Sequence, residues 1–318
     1  MKYIIGLLLI LTIGVGLAAV DIIERPNNLT ENVSIVMSKG ESVRHLAKEL
    51  QDAGIIRSSL LFRTVVRIIR ADKKLRAGEY MFAPGLNMLQ VAEKLQRGDV
   101  FYRRITLAEG LSSSQIKFII ENEPNLSGEI TIPMPEGSLL PETYTFSKGD
   151  SRDGIVLQAQ KALEKVLDEV WNDNQNHQIN DKKELLILAS IIEKETGIPE
   201  ERNDVSAVFS NRLQKGMMLQ TDPTVIYALT KGERELGRAL LKKDLDYDSP
   251  YNTYRNYGLP PSPICNAGKE AIIAAAHPAD NNYLYFVASG KGGHLFATNL
   301  SSHNKNVTLY RQAIKNHK

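Results

Sequence analysis

The sequence predicts an α+β protein carried on one N-terminal membrane helix. Three observations support this fold class: an uncharged apolar run opens the chain, short strand–turn–helix patterns follow, and a helix-rich region with a late hairpin pattern comes last. Of the 318 residues, 42% are hydrophobic and 24% are charged, which is the balance of a globular protein. The formal net charge of +2 creates no strong field towards nucleic acid, so nucleic acid is not an expected partner.

The first predicted element is a transmembrane anchor within residues 1–24. The run from Tyr3 to Val20 carries no charge, and as a helix at about 1.5 Å per residue it is roughly 27 Å long, just enough for a bilayer core. Lys2 precedes the run, which favours an N-terminus in the cytoplasm and translocation of the rest of the chain across the cytoplasmic (inner) membrane. A cleaved signal peptide ending near Ala18 is the alternative, but the run exceeds the usual ~7–15 apolar residues. Under either interpretation, the bulk of the protein is expected to be extracytoplasmic.

Three similar strand–turn–helix units are predicted between residues 33 and 128. Each has a glycine suited to a tight turn, at Gly40, Gly85 or Gly110, and a Ser or Asn suited to cap the helix. The glycines are unevenly spaced, which indicates degenerate duplication rather than a regular solenoid. Such units resemble LysM-type carbohydrate-binding modules, and a plain α+β spacer is the equal alternative. We assign residues 30–145 to this domain, with 136–144 as a connector, and residues 146–318 to a second domain.

The second domain is predicted to contain a helix over 152–171 and then a fully buried helix that ends in glutamates. Residues 185–192 are apolar on every side and run directly into the acidic segment 193–196. Glu195 lies three residues after Ile192 and continues a packed face, whereas Glu193 is the weaker candidate. Burial raises the pKa of a carboxyl and makes it a usable proton donor, as general acid catalysis at a glycosidic oxygen requires. The alternative is that both glutamates are surface charges at a helix end.

A polar segment between the next two predicted helices supplies further candidate residues. Asp222 before Pro223 is predicted to cap a helix, but Gln220 and Thr221 have no evident structural role and are suited to bind sugar hydroxyl and acetamido groups. Tyrosines in the later loop are able to stack on sugar faces, although packing is their commoner role. The candidate substrate-binding residues are Gln220, Thr221, Asp222, Tyr227, Tyr251, Asn252, Tyr254 and His294.

No metal or cofactor is expected. The spacing of His277, His294 and His303 fits no HExxH-like zinc motif, and the single cysteine, Cys265, excludes a multi-cysteine site. His294 is predicted to begin a strand after a hairpin turn, where it either lines a cleft or serves packing. The charged segment 231–243 is predicted to be a solvated helical face.

The second domain also carries a family resemblance. In order, the chain contains the strings ASIIEKET, VFSNRLQKGMMLQTDPTVIYAL, YNTY, GLPPSPI, AAAHPA, YLYFVA and HNK. This series resembles the endolytic murein transglycosylases of the MltG/YceG type over essentially the whole region 185–310. The segment EGSLLPETY and the anchored LysM-like region also fit the family layout. Ala267 and Leu140 depart from the family pattern, and both departures concern loop rigidity and packing.

The resemblance implies a function for the second domain. Glu195, the glutamate followed by Thr, is implied to be catalytic, and the pair resembles the Glu-Ser pair of lysozyme-like lytic transglycosylases. The implied reaction cleaves peptidoglycan glycan strands between N-acetylmuramic acid and N-acetylglucosamine and leaves 1,6-anhydro ends. One carboxylate suffices because the muramic C6 hydroxyl is an internal nucleophile. By analogy, the cell-wall synthesis machinery is a partner and nascent strands are limited in length. A hydrolytic muramidase and a non-catalytic, membrane-anchored peptidoglycan-binding scaffold are the alternatives.

Overall fold

The computed structural model of the chain describes residues 2–71 and 75–316. These residues divide into two compact units, one running to Arg103 and including Thr145–Asp150, the other comprising Arg104–Tyr144 and the residues from Ser151 onward. The first division lies about forty residues before the predicted boundary at 145/146, because the third strand–turn–helix unit belongs to the second compact unit. The outermost ends of the predicted anchor and of the predicted second domain, residues 1 and 317–318, lie outside the described residues.

The N-terminal unit is a small α+β body. Its elements are α1 (Lys2–Glu24), β1 (Val33–Met37), α2 (Val43–Asp52), α3 (Ser59–Ile68), β2 (Gly78–Phe82) and α4 (Met88–Arg97). Strands β1 and β2 pair antiparallel, with Val33 opposite Phe82. The hydroxyl of Ser42 and the amide oxygen of Asn87 accept from the first turns of α2 and α4, as the sequence predicts. The core of this unit is formed by apolar side chains that include Leu46, Leu50, Phe62, Tyr80, Phe82 and Leu95.

Helix α1 is long and apolar enough to cross a membrane. Residues Tyr3–Glu24 have a mean hydropathy of 2.5, and large apolar side chains along the helix, among them Ile4, Leu11 and Leu17, are exposed. At its end, Ile22 and Ile23 pack against the core of the N-terminal unit. These features fit a single membrane anchor at the N-terminus.

The C-terminal unit is mainly helical. Its elements are β3 (Arg103–Thr106), α5 (Ser113–Glu121), β4 (Thr143–Phe146), α6 (Arg152–Trp171), α7 (Lys182–Glu195), a 3₁₀ helix (Pro199–Glu201), α8 (Arg202–Gln214), α9 (Asp222–Thr230), a second 3₁₀ helix (Lys242–Asp246), α10 (Lys269–Ala276), β5 (Tyr285–Ala288), β6 (His294–Ala297) and α11 (Leu300–Asn316). Strands β5 and β6 form an antiparallel hairpin, and β3 pairs with β4; the division between the units falls within both of these strands.

Helix α7 is the centre of the C-terminal unit. Its residues from Ile187 to Ile192 are all buried, and α8, α9 and α10 pack around it. A helix that is apolar on every side has to be enclosed in this way. The position of its last residue, Glu195, is therefore set by core packing.

Several elements differ from the sequence prediction. The helical prediction for 231–243 is wrong, because the chain is irregular from Lys231 to Leu241 and forms a 3₁₀ helix only from Lys242. Gly232 and Gly237 have φ values of +72° and +68°, which an α-helix does not accommodate. Helices α3, α10 and α11 were not predicted. The strand–turn–helix pattern occurs at all three predicted places, and its likeness to LysM modules stays a prediction.

Candidate active site

Glu195 is the last residue of α7, and the turn that follows fixes its direction. The N–H of Thr196 donates to the carbonyl of Ile192 at 3.2 Å and ends the helix. The Thr196 side chain is buried, and its hydroxyl accepts from the N–H of Ile198 at 3.0 Å. This turn leaves the Glu195 side chain directed towards the start of α9, where it meets Thr221.

The Glu195 carboxyl lies in a cavity of about 210 Å³. The cavity is enclosed by residues from α7, α8, the start of α9, the loop after Ser249 and strand β5. Phe209 and Phe286 form one apolar wall, with their rings edge to face at 5.9 Å. The lining residues are Glu195, Phe209, Arg212, Leu219, Gln220, Thr221, Asp222, Tyr254 and Phe286.

The environment of Glu195 favours the protonated carboxyl. Burial raises its pKa, and the nearby negative charge of Asp222 acts in the same direction. A hydrogen bond donated by the Thr221 hydroxyl to Oε1 opposes this shift, as do the positive charges of His294 and Arg212. The balance leaves the pKa of Glu195 above its usual value, so this group is able to hold a proton and release it to a bound ligand.

Thr221 is held in place by the loop that follows the second 3₁₀ helix. Its N–H donates to Oγ1 of Thr253 at 3.1 Å, and that hydroxyl is also bonded to Oγ1 of Thr224 at 2.8 Å. The preceding residue, Gln220, has a φ of +48° and donates its N–H to the Thr253 carbonyl at 3.1 Å. Thr253 is itself buried, and its bonds hold Thr221, whose hydroxyl donates to Glu195. The sequence did not reveal this role of Thr253.

Asp222 lies at the mouth of the cavity and is exposed. The prediction that Asp222 caps a helix is wrong, because the structure places it as the first residue of α9 and the N-cap residue, Thr221, makes no side-chain capping bond. Oδ1 of Asp222 accepts instead from the hydroxyl of Tyr254 at 2.7 Å. Burial raises the pKa of Tyr254, which keeps this hydroxyl a donor.

Arg212 is a charged side chain of the cavity that sequence reasoning missed. Its guanidinium is buried and donates to the carbonyls of Leu219 at 2.8 Å, Met218 at 3.3 Å and Leu284 at 2.7 Å. It also lies 5.1 Å from the centre of the Tyr285 ring. Arg212 thereby ties the end of the loop before α9 to the loop before β5, and these segments form two sides of the cavity.

Glu193 shares the raised pKa of Glu195 but not its surroundings. Burial again raises the pKa, yet Oε2 of Glu193 accepts from the N–H of Gly268 at 3.0 Å, at the start of α10. Glu193 does not line the cavity. Burial raises the pKa of both glutamates and does not distinguish them, but their hydrogen-bond partners do.

The structure brings Gln220, Thr221, Asp222 and Tyr254 together with Glu195 and places the other predicted substrate-binding residues elsewhere. Tyr227 and Tyr251 contact each other, with ring centres 4.9 Å apart, outside the lining of this cavity. Asn252 is buried, and its amide donates to the carbonyls of Leu245 and Tyr247 at 2.9 and 2.8 Å. These contacts give Asn252 a part in shaping the loop that carries Thr253.

His294 begins β6, as predicted, and lies behind the aromatic wall of the cavity. Its backbone N–H and ring Nδ1 contact the two carboxylate oxygens of Glu201 at 2.8 and 2.7 Å. Its ring meets the ring of Phe286 edge to face at 5.3 Å. The imidazole is thus oriented by Glu201, and its charge when protonated lowers the pKa of Glu195.

One group of side chains in the described part of the chain has ligand atoms close enough to share a metal ion. Oxygen and nitrogen atoms of Glu41, just before α2, and of His45 and Glu49 on α2 lie within 4.8 Å of one another. Their i, i+4 spacing on a helix surface brings them together without an ion. They belong to the N-terminal unit and take no part in the Glu195 cavity.

Comparison with known proteins relates this geometry to a family. The YceG-like family model matches residues 35–309. The endolytic murein transglycosylase of Bacillus subtilis is 32% identical over 93% of this chain and 89% of its own length. The endolytic murein transglycosylase of a Streptococcus pneumoniae strain is 26% identical over 88% of this chain, which spans 58% of that longer relative. A crystal structure of a YceG-like protein from Listeria monocytogenes is 32% identical and covers 86% of this chain and 99% of its own, with a TM-score of 0.54. The chain belongs to the YceG-like family.

Proposed function

We propose that this protein is an endolytic transglycosylase that cleaves peptidoglycan glycan strands with Glu195 as both acid and base. The observation that carries the proposal is one carboxyl with a raised pKa in a cavity, beside a fixed hydroxyl donor. The similarity to relatives named endolytic murein transglycosylases supports it over the full length of the catalytic region. A non-catalytic scaffold has no need of such a carboxyl.

In the first step, the Glu195 carboxyl gives its proton to the oxygen that joins C1 of N-acetylmuramic acid to N-acetylglucosamine. The C1–O bond breaks, the N-acetylglucosamine end leaves as an alcohol, and positive charge develops at C1 and the ring oxygen. In the second step, the Glu195 carboxylate takes the proton of the C6 hydroxyl of the same muramic residue. O6 then bonds to C1 and closes the 1,6-anhydro ring, so atoms balance without water and Glu195 is again protonated.

The surroundings of Glu195 suit both steps. Before the transfer, burial and Asp222 favour the protonated acid. After it, the Thr221 hydrogen bond and the charges of Arg212 and His294 stabilise the carboxylate that remains. Gln220 and Tyr254 are proposed to contact the sugars, since both line the cavity and Gln220 is exposed.

A hydrolytic muramidase is the second candidate, because Asp222 also lines the cavity and offers a carboxylate that could activate water. Product masses separate the two reactions. We expect purified sacculi incubated with the protein to release muropeptides with 1,6-anhydro ends. Hydrolysis would instead give products heavier by about 18 Da, the mass of one water molecule. Products of only the heavier mass would contradict the transglycosylase and support the muramidase.

We further propose that α1 anchors the protein in the cytoplasmic membrane with both compact units outside the cytoplasm. Lys2 before the apolar helix and the acidic residues after it support this orientation. Protease added to intact spheroplasts should digest the protein down to its N-terminal helix. Full protection until the membrane is permeabilised would contradict this orientation.

Two finer assignments rest on the family resemblance. The cell-wall synthesis machinery as a partner, and a role in limiting nascent strands, are proposals by analogy. A glycan-binding role of the LysM-like units is a proposal of the same kind. The groove lined by Met81, Leu86 and Arg97 beside α4 is a place in the N-terminal unit where a sugar could lie.

A further inference from the structure

A second and larger cavity lies in the C-terminal unit, and the proposed mechanism does not use it. Its volume is about 600 Å³. It shares no lining residue with the Glu195 cavity, but the two cavities are lined by neighbouring residues of the chain. Lys194 and Pro223 line the second cavity, whereas Glu195 and Asp222 line the first. Because consecutive Cα atoms are about 3.8 Å apart, the two cavities lie on opposite sides of a thin ridge formed by the end of α7 and the start of α9.

The second cavity combines an apolar lining with charged side chains. The apolar part is supplied from α9, the segment 231–241, the loop after β3 and the loop before α10. Three cationic residues, Lys194, Arg234 and Arg238, line it together with one acidic residue, Glu235. The apolar lining residues are Leu111, Pro223, Ile226, Tyr227, Leu236 and Ile264.

The wall of this cavity is the segment 231–241, and its hydrogen bonds hold it in one conformation. Arg238 is bonded to the Asp244 carboxylate at 2.6 and 3.0 Å, and the N–H of Leu241 donates to the same carboxylate at 2.8 Å. The Ser112 hydroxyl donates to the Gly232 carbonyl from the opposite side. These bonds hold the segment as a fixed wall of the cavity, whereas a charged loop that served only as solvated surface would not need them.

The cationic side chains of the second cavity differ in how many of their N–H groups are already bonded within the protein. Arg238 is committed to Asp244 through both terminal nitrogens. Lys194 donates to the carbonyl of Gly110 at 3.2 Å, which leaves two of its three N–H groups for another acceptor. Arg234 is exposed at the rim. A ligand with carboxylates spaced along an extended chain would complement Lys194 and Arg234.

We infer that the second cavity binds the short peptide attached to the muramic acid residue that Glu195 cleaves. This inference rests on the proposed function, since it requires a muramic residue in the neighbouring cavity. That residue carries its peptide on the lactyl group, and the peptide bears free carboxylates and a side-chain amine. Four extended residues reach about 13 Å, whereas the adjacent residues that line the two cavities have Cα atoms only about 3.8 Å apart. Lys194 and Arg234 bind the carboxylates, and Glu235 faces the amine.

The test compares glycan strands with their peptides against the same strands after an amidase has removed them. Full-length protein in detergent is used, with the double variant Lys194→Ala/Arg234→Ala. We expect the ratio of cleavage rates, peptide-bearing over peptide-free, to fall about tenfold in the variant, because charged hydrogen bonds to the peptide are lost. The double variant Lys183→Ala/Arg311→Ala removes an exposed lysine and an exposed arginine of the same unit outside the cavity and should keep the wild-type ratio. An unchanged ratio in the first variant would overturn the inference.

A binding measurement separates failure of this inference from failure of the proposed function. A soluble N-acetylmuramyl tetrapeptide is titrated into the Glu195→Gln protein by calorimetry, with and without the Lys194→Ala/Arg234→Ala changes. We expect binding that weakens about tenfold with these changes or when the peptide carboxylates are amidated. If the wild type cleaves no glycan while this binding pattern holds, the proposed function fails and the peptide site stands. If cleavage is normal and the muramyl peptide binds all variants equally, the peptide site fails alone.

Discussion

Glu195→Gln is expected to reduce the release of anhydro-muropeptides from sacculi by about 10³-fold or more. General acid–base catalysis by a positioned side chain contributes about 10²–10⁴-fold, and here one carboxyl performs both proton transfers. Glutamine is nearly isosteric and is able to accept the Thr221 hydrogen bond, so the fold of the site should survive. The measurement is chromatography of released muropeptides. Glu200→Gln, an exposed glutamate in the 3₁₀ helix that follows, is the matched control and should retain the wild-type rate.

The pH profile tests the same carboxyl in the unmodified protein. Burial raises the pKa of Glu195, and the protonated form starts the reaction, so the rate should fall as pH rises through this pKa. The Thr221 hydroxyl favours the carboxylate and lowers the pKa. Thr221→Val should therefore move the alkaline limb to higher pH, and Thr221→Ser should restore it. A limb that stays in place in Thr221→Val, or a Glu195→Gln protein with the normal rate, would show that another group is the acid.

Arg212→Leu should lower the free energy of unfolding of the C-terminal unit by about 3 kcal/mol. The leucine fills part of the space but leaves three carbonyls, those of Met218, Leu219 and Leu284, without their donor. Each buried acceptor left unpaired costs about 1–3 kcal/mol. For a unit of this size, we expect the unfolding midpoint to fall by about 6–12 °C.

Fluorescence of the single tryptophan, Trp171, follows this unit selectively, because Trp171 packs against its core. Arg255→Leu is the control: Arg255 is exposed, and its side chain donates one hydrogen bond, to the Asp246 carbonyl. Arg212→Lys should recover only part of the loss, since an ammonium does not reproduce the fork of the guanidinium. Equal midpoints for the Arg212→Leu and Arg255→Leu proteins would mean that the three carbonyls find water or other donors.

Local sequence patterns were sufficient to predict the helix caps and the helix whose stabilising contacts lie within a few residues along the chain. The caps at Ser42, Asn87 and Ser112, and the helix over 152–171, follow from spacing and from side chains that bond their own helix. Glu195 was identified because an apolar helix on which it lies has to be buried. The error at 231–243 arose because charge pattern outweighed Gly232 and Gly237 in the prediction.

The remaining features of the site depend on contacts between distant parts of the chain. Nothing near Arg212 in the sequence indicates that its guanidinium bonds the loop before β5. Likewise, Thr253 reads as an ordinary loop residue until Thr221 is placed beside it. Asn252 was predicted to bind substrate because its type suits sugars, whereas its amide bonds two carbonyls of its own loop. Residue type and local spacing do not decide between these uses.

Glu195, the proposed acid, ends a helix that α8, α9 and α10 enclose, rather than a surface loop. Any repacking around α7, such as a smaller side chain at Ile187 or Leu188, shifts the helix and with it the proton donor. Robustness to heat and catalytic proficiency are therefore linked traits here. A substitution at these interior positions is therefore expected to change the unfolding midpoint and the cleavage rate together.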